Sequence, residues 1–114
     1  MATHLSTANA LYLWHHVGLA QVRDEEPDLS VRQMTILLSI YLEPPPHTVR
    51  GLAAKLNVSK PVITRALDAM GKLGLVTRRR DQDDLRNVLI QRTVGGSLYL
   101  ERLADLVSAK SNEL

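Results

Sequence analysis

Between residues 7 and 23 the apolar positions Leu11, Leu13, Trp14, Val17, Leu19 and Val22 fall on nearly every side of a helical projection, and no proline interrupts them. A helix that is apolar all round is normally enclosed by protein, so this one is expected to meet a partner as well as its own core. Asp24-Glu25-Glu26-Pro27-Asp28 ends it in an acidic loop. Ser30-Val31-Arg32-Gln33 has the capping-box form, a serine N-cap with glutamine three residues on. The helix it opens carries Met34, Leu37, Leu38 and Tyr41 at a spacing that predicts one buried stripe. Glu43-Pro44-Pro45-Pro46 cannot continue that helix, because proline lacks the N–H donor and restricts the residue before it. The run reads as a stiff connector.

The next stretch, Thr48 to Leu67, alternates caps with apolar contacts. Thr48 is placed to cap a short helix ending at Leu56, and Asn57 suits the left-handed residue that closes such a helix. Ser59 is placed to cap a second helix, with Pro61 in its first turn where a missing donor does no harm. Ala53 supplies the small side chain that a steep helix crossing needs, and Leu52, Leu56, Val58, Ile63, Leu67 and Met70 supply the apolar contacts. Two short helices around a three-residue turn form a helix-turn-helix. With Ile63, Leu67 and Met70 turned inward, Lys60, Thr64, Arg65 and Asp68 must point outward. Lys60, Thr64 and Arg65 are groups that hydrogen-bond base edges or phosphates in a major groove.

Gly74 stands where the second helix should end, before Leu75-Val76-Thr77-Arg78-Arg79-Arg80. After Asp81-Gln82-Asp83-Asp84-Leu85-Arg86, a second β-branched run follows from Asn87 to Arg92. Two such runs with a polar connection predict an antiparallel hairpin. Helix-turn-helix followed by a charged hairpin is the winged-helix arrangement. In the wing, Asp84 and Arg86 are two apart and share a side if extended, so that the acid holds the arginine; Asp81 and Asp83 are expected to shape the turn by accepting backbone N–H bonds. Alternation sends Arg78, Arg79 and Arg80 to both faces of their strand, which leaves only some of them to reach a phosphate.

Charge changes this picture more than composition does. The 114-residue chain has a net charge of +2, but residues 47–92 hold ten basic groups against four acids, a local +6, while the remainder carries −4. That asymmetry concentrates positive potential on the helix-turn-helix and wing, as a nucleic-acid face requires. The length suits one domain. The absence of cysteine excludes disulfides, thiolate nucleophiles and most structural zinc sites. The start, MATHLSTANA, lacks the basic-then-apolar form of a secretory signal, and no apolar run reaches membrane-spanning length, so a cytoplasmic location without membrane attachment is expected.

The motif set as a whole, helix, helix-turn-helix, Gly74-Leu75-Val76 at the hairpin, Asp84-Leu85-Arg86 in the wing and Thr93-Val94-Gly95-Gly96 opening a last helix, resembles the MarR family of transcriptional regulators over roughly residues 8–110. The resemblance implies a homodimeric winged helix that binds palindromic double-stranded DNA, mostly as a repressor. Many members release DNA when a small, often phenolic or aromatic-acid, effector binds. It also implies that Arg86 enters the minor groove, oriented by Asp84, while the helix from Ser59 reads the major groove. Family members usually carry a further long C-terminal helix, whereas this sequence ends at Leu114 soon after the last predicted helix. Dimerisation is therefore expected on helix 7–23 and on Leu98, Tyr99, Leu103, Leu106 and Val107. Where the family usually has an apolar residue before the threonine of the last helix, this chain has Arg92, read as an added phosphate contact or a solvated strand end.

The resulting expectation is a mainly α fold with a small β-hairpin, one domain over 1–114. A DNA-binding winged helix-turn-helix over 30–92 is flanked by dimerisation helices at 7–23 and 94–110. Its DNA-contacting residues are Ser59, Lys60, Thr64, Arg65, Arg78, Arg79, Arg80, Asp84 and Arg86. No catalytic residue, cofactor or metal is expected: the sequence lacks a Gly-x-Ser-x-Gly elbow and a glycine-rich phosphate loop. His15 and His16 are adjacent, on different helical faces, and neither has a suitable metal-binding partner one turn away. Tyr12, Trp14 and His47 could join them around a small ligand, though core and dimer packing account for all five. The rival from another class is a winged-helix module that binds protein, left open by Val62 on the second helix and by the missing last helix.

Overall fold

The computed structural model describes residues 4–25 and 27–114; Glu26 of the expected acidic loop, and the first three residues of the N-terminal stretch, lie outside the described residues. In chain order the elements are α1 (Thr7–Arg23), α2 (Val31–Leu42), β1 (His47–Thr48), α3 (Val49–Leu56), α4 (Lys60–Lys72), β2 (Val76–Arg80), β3 (Val88–Arg92) and α5 (Val94–Ser111). They divide into two compact units. One comprises α1 and the chain from Leu100 onward; the other is Leu29–Tyr99, so the boundary falls inside α5.

In the first unit, α1 starts where the Ser6 hydroxyl accepts from the Asn9 N–H, and it ends at Arg23 as the sequence predicts. Val17 is buried, while Leu11, Trp14 and Val22 are exposed. The Tyr12 hydroxyl donates to Glu113 Oε2 at 3.1 Å. That bond, with minor contributions from burial and from the nearby carboxylate charge, raises the phenol above its ordinary pKa. On α5, Leu98 and Val107 are exposed, and Leu103 and Leu106 are half-buried. Tyr99, expected at a dimer contact, is instead buried within the chain. It lies three residues after Gly96, hence on the face that α5 turns toward Tyr41 and Leu75.

In the second unit, the capping box on α2 is complete: Ser30 Oγ accepts from Gln33 N, and Gln33 Oε1 accepts from Ser30 N. The buried stripe of α2 differs from expectation. Ile36, Leu37 and Ile40 are fully buried, while Met34, Leu38 and Tyr41 are only half-buried. With apolar residues at most positions from 34 to 42, periodicity cannot choose the inward side; the packing of α3, α4 and the sheet chooses it. Leu52, Ile63, Leu67, Met70, Leu75, Val76 and Ile90 complete this core.

The turn chemistry follows the sequence closely. The Thr48 hydroxyl accepts from Gly51 N, and Asn57 adopts φ 57°, ψ 48°, the left-handed cap. Gly74 takes φ +74° just past the end of α4. Ser59 occupies the N-cap position of α4, but its hydroxyl makes no capping bond there. The hairpin gains a member that sequence reading did not include: β1 pairs with β3, giving an antiparallel sheet of order β1-β3-β2. His47, Ile90 and Arg78 form one cross-strand row, and Thr48, Leu89 and Arg79 the next.

One hydroxyl joins α2, the turn after α4 and the start of α5. Tyr41 Oη accepts from Thr93 N at 2.8 Å and lies 2.9 Å from Leu75 O and 3.1 Å from Thr93 O. The Thr93 hydroxyl donates to Gly74 O at 2.7 Å and accepts from Gly96 N, which caps α5. A Cβ on Gly96 would collide with Tyr41 Oη and Leu75 O, so only glycine permits this approach.

Candidate nucleic-acid interface

The exposed face of α4 is laid out as its spacing requires. Ile63, Ala66, Leu67 and Met70 are buried, which leaves Lys60, Thr64, Arg65 and Asp68 in solvent. Ser59 is exposed at the head of the helix, its hydroxyl unused for capping. Asp68 is engaged: its Oδ1 accepts from Arg78 Nη2 at 2.7 Å, linking α4 to β2. Arg78 shares the row of buried Ile90, so it reaches toward the helix from the core-facing side of the strand.

At the wing tip, Asp84 holds Arg86. Asp84 Oδ1 accepts from Arg86 Nε at 3.0 Å and from Arg86 N at 3.1 Å, and Oδ2 accepts from Nη2 at 3.0 Å. The expected pairing is present, but its geometry is a turn and not an extended strand, because Asn87 N donates to Asp84 O at 2.9 Å. The Arg86 side chain is 82% exposed, so the grip of Asp84 sets its direction without covering it. The side-chain and backbone bonds from Arg86, and then the charge of Arg50, hold the Asp84 carboxyl below its ordinary pKa. Arg86 is raised in turn by Asp84. Arg50 at the start of α3 was not singled out from sequence; its only signal there was its place in the basic segment.

The remaining wing residues divide by partner. Arg80 Nη1 donates to Leu85 O at 2.6 Å and so braces the loop. Arg79 lies in the other cross-strand row and is exposed. Asp81 shapes the turn as expected, accepting from Asp83 N at 2.9 Å; among the described residues no such bond ends on the Asp83 carboxylate.

Arg92 is exposed at the end of β3, and it also has acceptors inside the protein. Its Nε donates to Ile40 O and its Nη2 to Glu43 O, both at 2.9 Å, and the guanidinium lies 5.8 Å from the Tyr41 ring centroid. A cation on the last carbonyls of α2 satisfies acceptors that the helix itself cannot. The histidines also have plain accounts. His16 stacks on Tyr12 with centroids 3.8 Å apart, and its Nδ1 bonds Tyr12 O. His47 is buried in β1 with Nε2 on Glu43 O. Among the described residues no cluster of three or more His, Asp or Glu side chains could hold a metal ion, and no helix is long and apolar enough to cross a membrane.

A model of the MarR family matches residues 29–88, from just before the α2 capping box to the first residue of β3. The chain belongs to the MarR family. The matched segment holds the helix-turn-helix, Asp84 and Arg86. A curated relative, the organic hydroperoxide resistance transcriptional regulator of Bacillus subtilis (strain 168), is 36% identical over 59 residues, which is 52% of this chain. The chain thus matches only 40% of that relative's length. Among solved structures, a mutant MarR from E. coli complexed with operator DNA is 25% identical with a TM-score of 0.69, covering 93% of this chain and 70% of that one. The transcriptional regulator BldR from Sulfolobus solfataricus is 27% identical with a TM-score of 0.65, covering 93% and 76%. Among the described residues the chain has five helices and a small three-stranded sheet, matching the winged-helix structures of the MarR family.

Proposed function

We propose that this chain is a sequence-specific, double-stranded-DNA-binding regulator of transcription. It acts as a homodimer and by repression, in the cytoplasm, and not as an enzyme. The observation that carries the reading is the pairing of two exposed cationic elements in one unit. An exposed helix face with Lys60, Thr64 and Arg65 stands beside a wing whose Arg86 is held outward by Asp84. In a MarR-family chain this supports a mechanism in which α4 enters the major groove and Arg86 the adjacent minor groove, with Ser59 and Arg79 toward the backbone. Arg78 and Arg80, already bonded to Asp68 and Leu85 O, serve the wing's shape first. The similar E. coli structure, a MarR mutant complexed with operator DNA, adds weight.

The exposed Leu11, Trp14 and Val22 of α1 support its role as a dimerisation helix, together with Leu98 and Val107 of α5. A dimer would set two copies of α4 about 34 Å apart, one turn of the duplex, and an occupied operator would block polymerase. Selection of bound sequences from random duplex DNA tests this. A palindromic consensus with half-sites one helical turn apart is expected; no enrichment would contradict it, and is what a protein-binding winged helix would give.

A further inference from the structure

Two arginines line one cleft beside α4. Arg32, in the first turn of α2, and Arg65, on α4, line it with Ser30, Gln33, Val62 and Ala66. Among the described residues no carboxylate lines that cleft. Ser30 and Gln33 spend their side chains capping each other. Among the described residues neither arginine makes a hydrogen bond or ion pair, in contrast to Arg78, Arg80, Arg86 and Arg92, each of which has an acceptor inside the protein.

Among the described residues nothing rewards this placement. Two like charges lining one cleft repel, and a cation in the first turn of a helix faces the positive end of its dipole. The group that reverses both costs is an anion, and a guanidinium fork matches the oxygens of a phosphate bidentately. The position suits a phosphate of the DNA backbone. A helix in the major groove reads bases from its outermost face, whereas its flanks, and the helix packed behind it, meet the backbone. Arg65 stands on the flank toward α2, and Val62 and Ala66 supply apolar walls with no base-reading groups.

We infer that Arg32 and Arg65 jointly clamp one phosphate of the DNA backbone, making Arg32 a DNA-binding residue outside the basic segment and Arg65 an anchor of register, not a reader of sequence. The clamp rests on the DNA-binding reading above.

Arg32→Ala, Arg65→Ala and the double variant separate it from that reading. Binding is measured by fluorescence anisotropy across a salt series, on the selected duplex and on a scrambled one, with thermal melts as a check on folding. Each single variant should lose about tenfold on both duplexes and flatten the salt slope by about 2, because a dimer carries the substitution twice, with the selected consensus unchanged. Because the phosphate is shared, the double variant should lose less than the product of the two single losses. Wild-type affinity and slope in Arg32→Ala would overturn the clamp while the DNA-binding reading stands, as would independent losses in the double variant or an altered consensus in Arg65→Ala. A wild-type protein that binds neither duplex would overturn the reading and the clamp together.

Discussion

Asp84 accepts three hydrogen bonds from Arg86, two from the guanidinium and one from the backbone N–H. The wing tip thereby presents a cation whose direction is set by the protein before any ligand arrives, which lowers the ordering cost of inserting it into a groove. The carboxyl titrates below its ordinary value because Arg86 and then Arg50 favour its charged form. Its folded pKa is depressed, so the contribution of the pair is present at neutral pH and is lost as pH falls through the folded value. A carbon-13 NMR titration should place the Asp84 midpoint below 3.8 in the wild type and move it back up in Arg86→Ala. An unchanged midpoint would show that the pair does not persist in solution.

Tyr41 and Gly96 hold the start of α5 against the helix-turn-helix. Tyr41→Phe leaves Thr93 N without its acceptor and removes the bond toward Leu75 O, a loss of about 1–3 kcal/mol in denaturant unfolding. Gly96→Ala puts a methyl group against Tyr41 Oη and Leu75 O and should destabilise by about as much or more. Gly18 is the control: nothing lies within 4 Å of a Cβ there, so Gly18→Ala should be neutral or stabilise α1 by roughly 0.5–1 kcal/mol. Equal effects at positions 18 and 96 would contradict the close approach.

Arg92 and Arg86 offer opposite phenotypes from the same substitution. Arg92→Ala removes two bonds to the last carbonyls of α2 and should lower unfolding stability by about 1–2 kcal/mol, with DNA affinity little changed wherever the protein is folded. Arg86→Ala should leave the melting temperature near wild type, since an 82% exposed side chain contributes little to packing, and weaken DNA binding substantially. Thermal melts paired with anisotropy on the same preparations distinguish the two.

These contrasts mark what the sequence could convey. Local chemistry was legible: the Ser30–Gln33 box, Thr48, Asn57 and Gly74 each act within a few residues, so their meaning does not depend on the rest of the fold. The Asp84–Arg86 pair was legible for the same reason, although a turn and not an extended strand produces it. Three features were not. Ile36 and Ile40 replaced Met34 and Leu38 in the stripe because an almost wholly apolar helix carries no directional signal. The two-residue β1 is too short for any period. Arg92 finds its carbonyls 52 and 49 residues away, a partnership that only the folded chain reveals.

The central claim is that the basic surface of α4 and the wing grips the DNA backbone while reading its grooves. Its most direct test is the dependence of duplex affinity on salt. If a dimer neutralises about eight phosphates, log K should fall linearly against log salt with a slope of about −7. An affinity that stays flat from low to moderate salt would contradict the account.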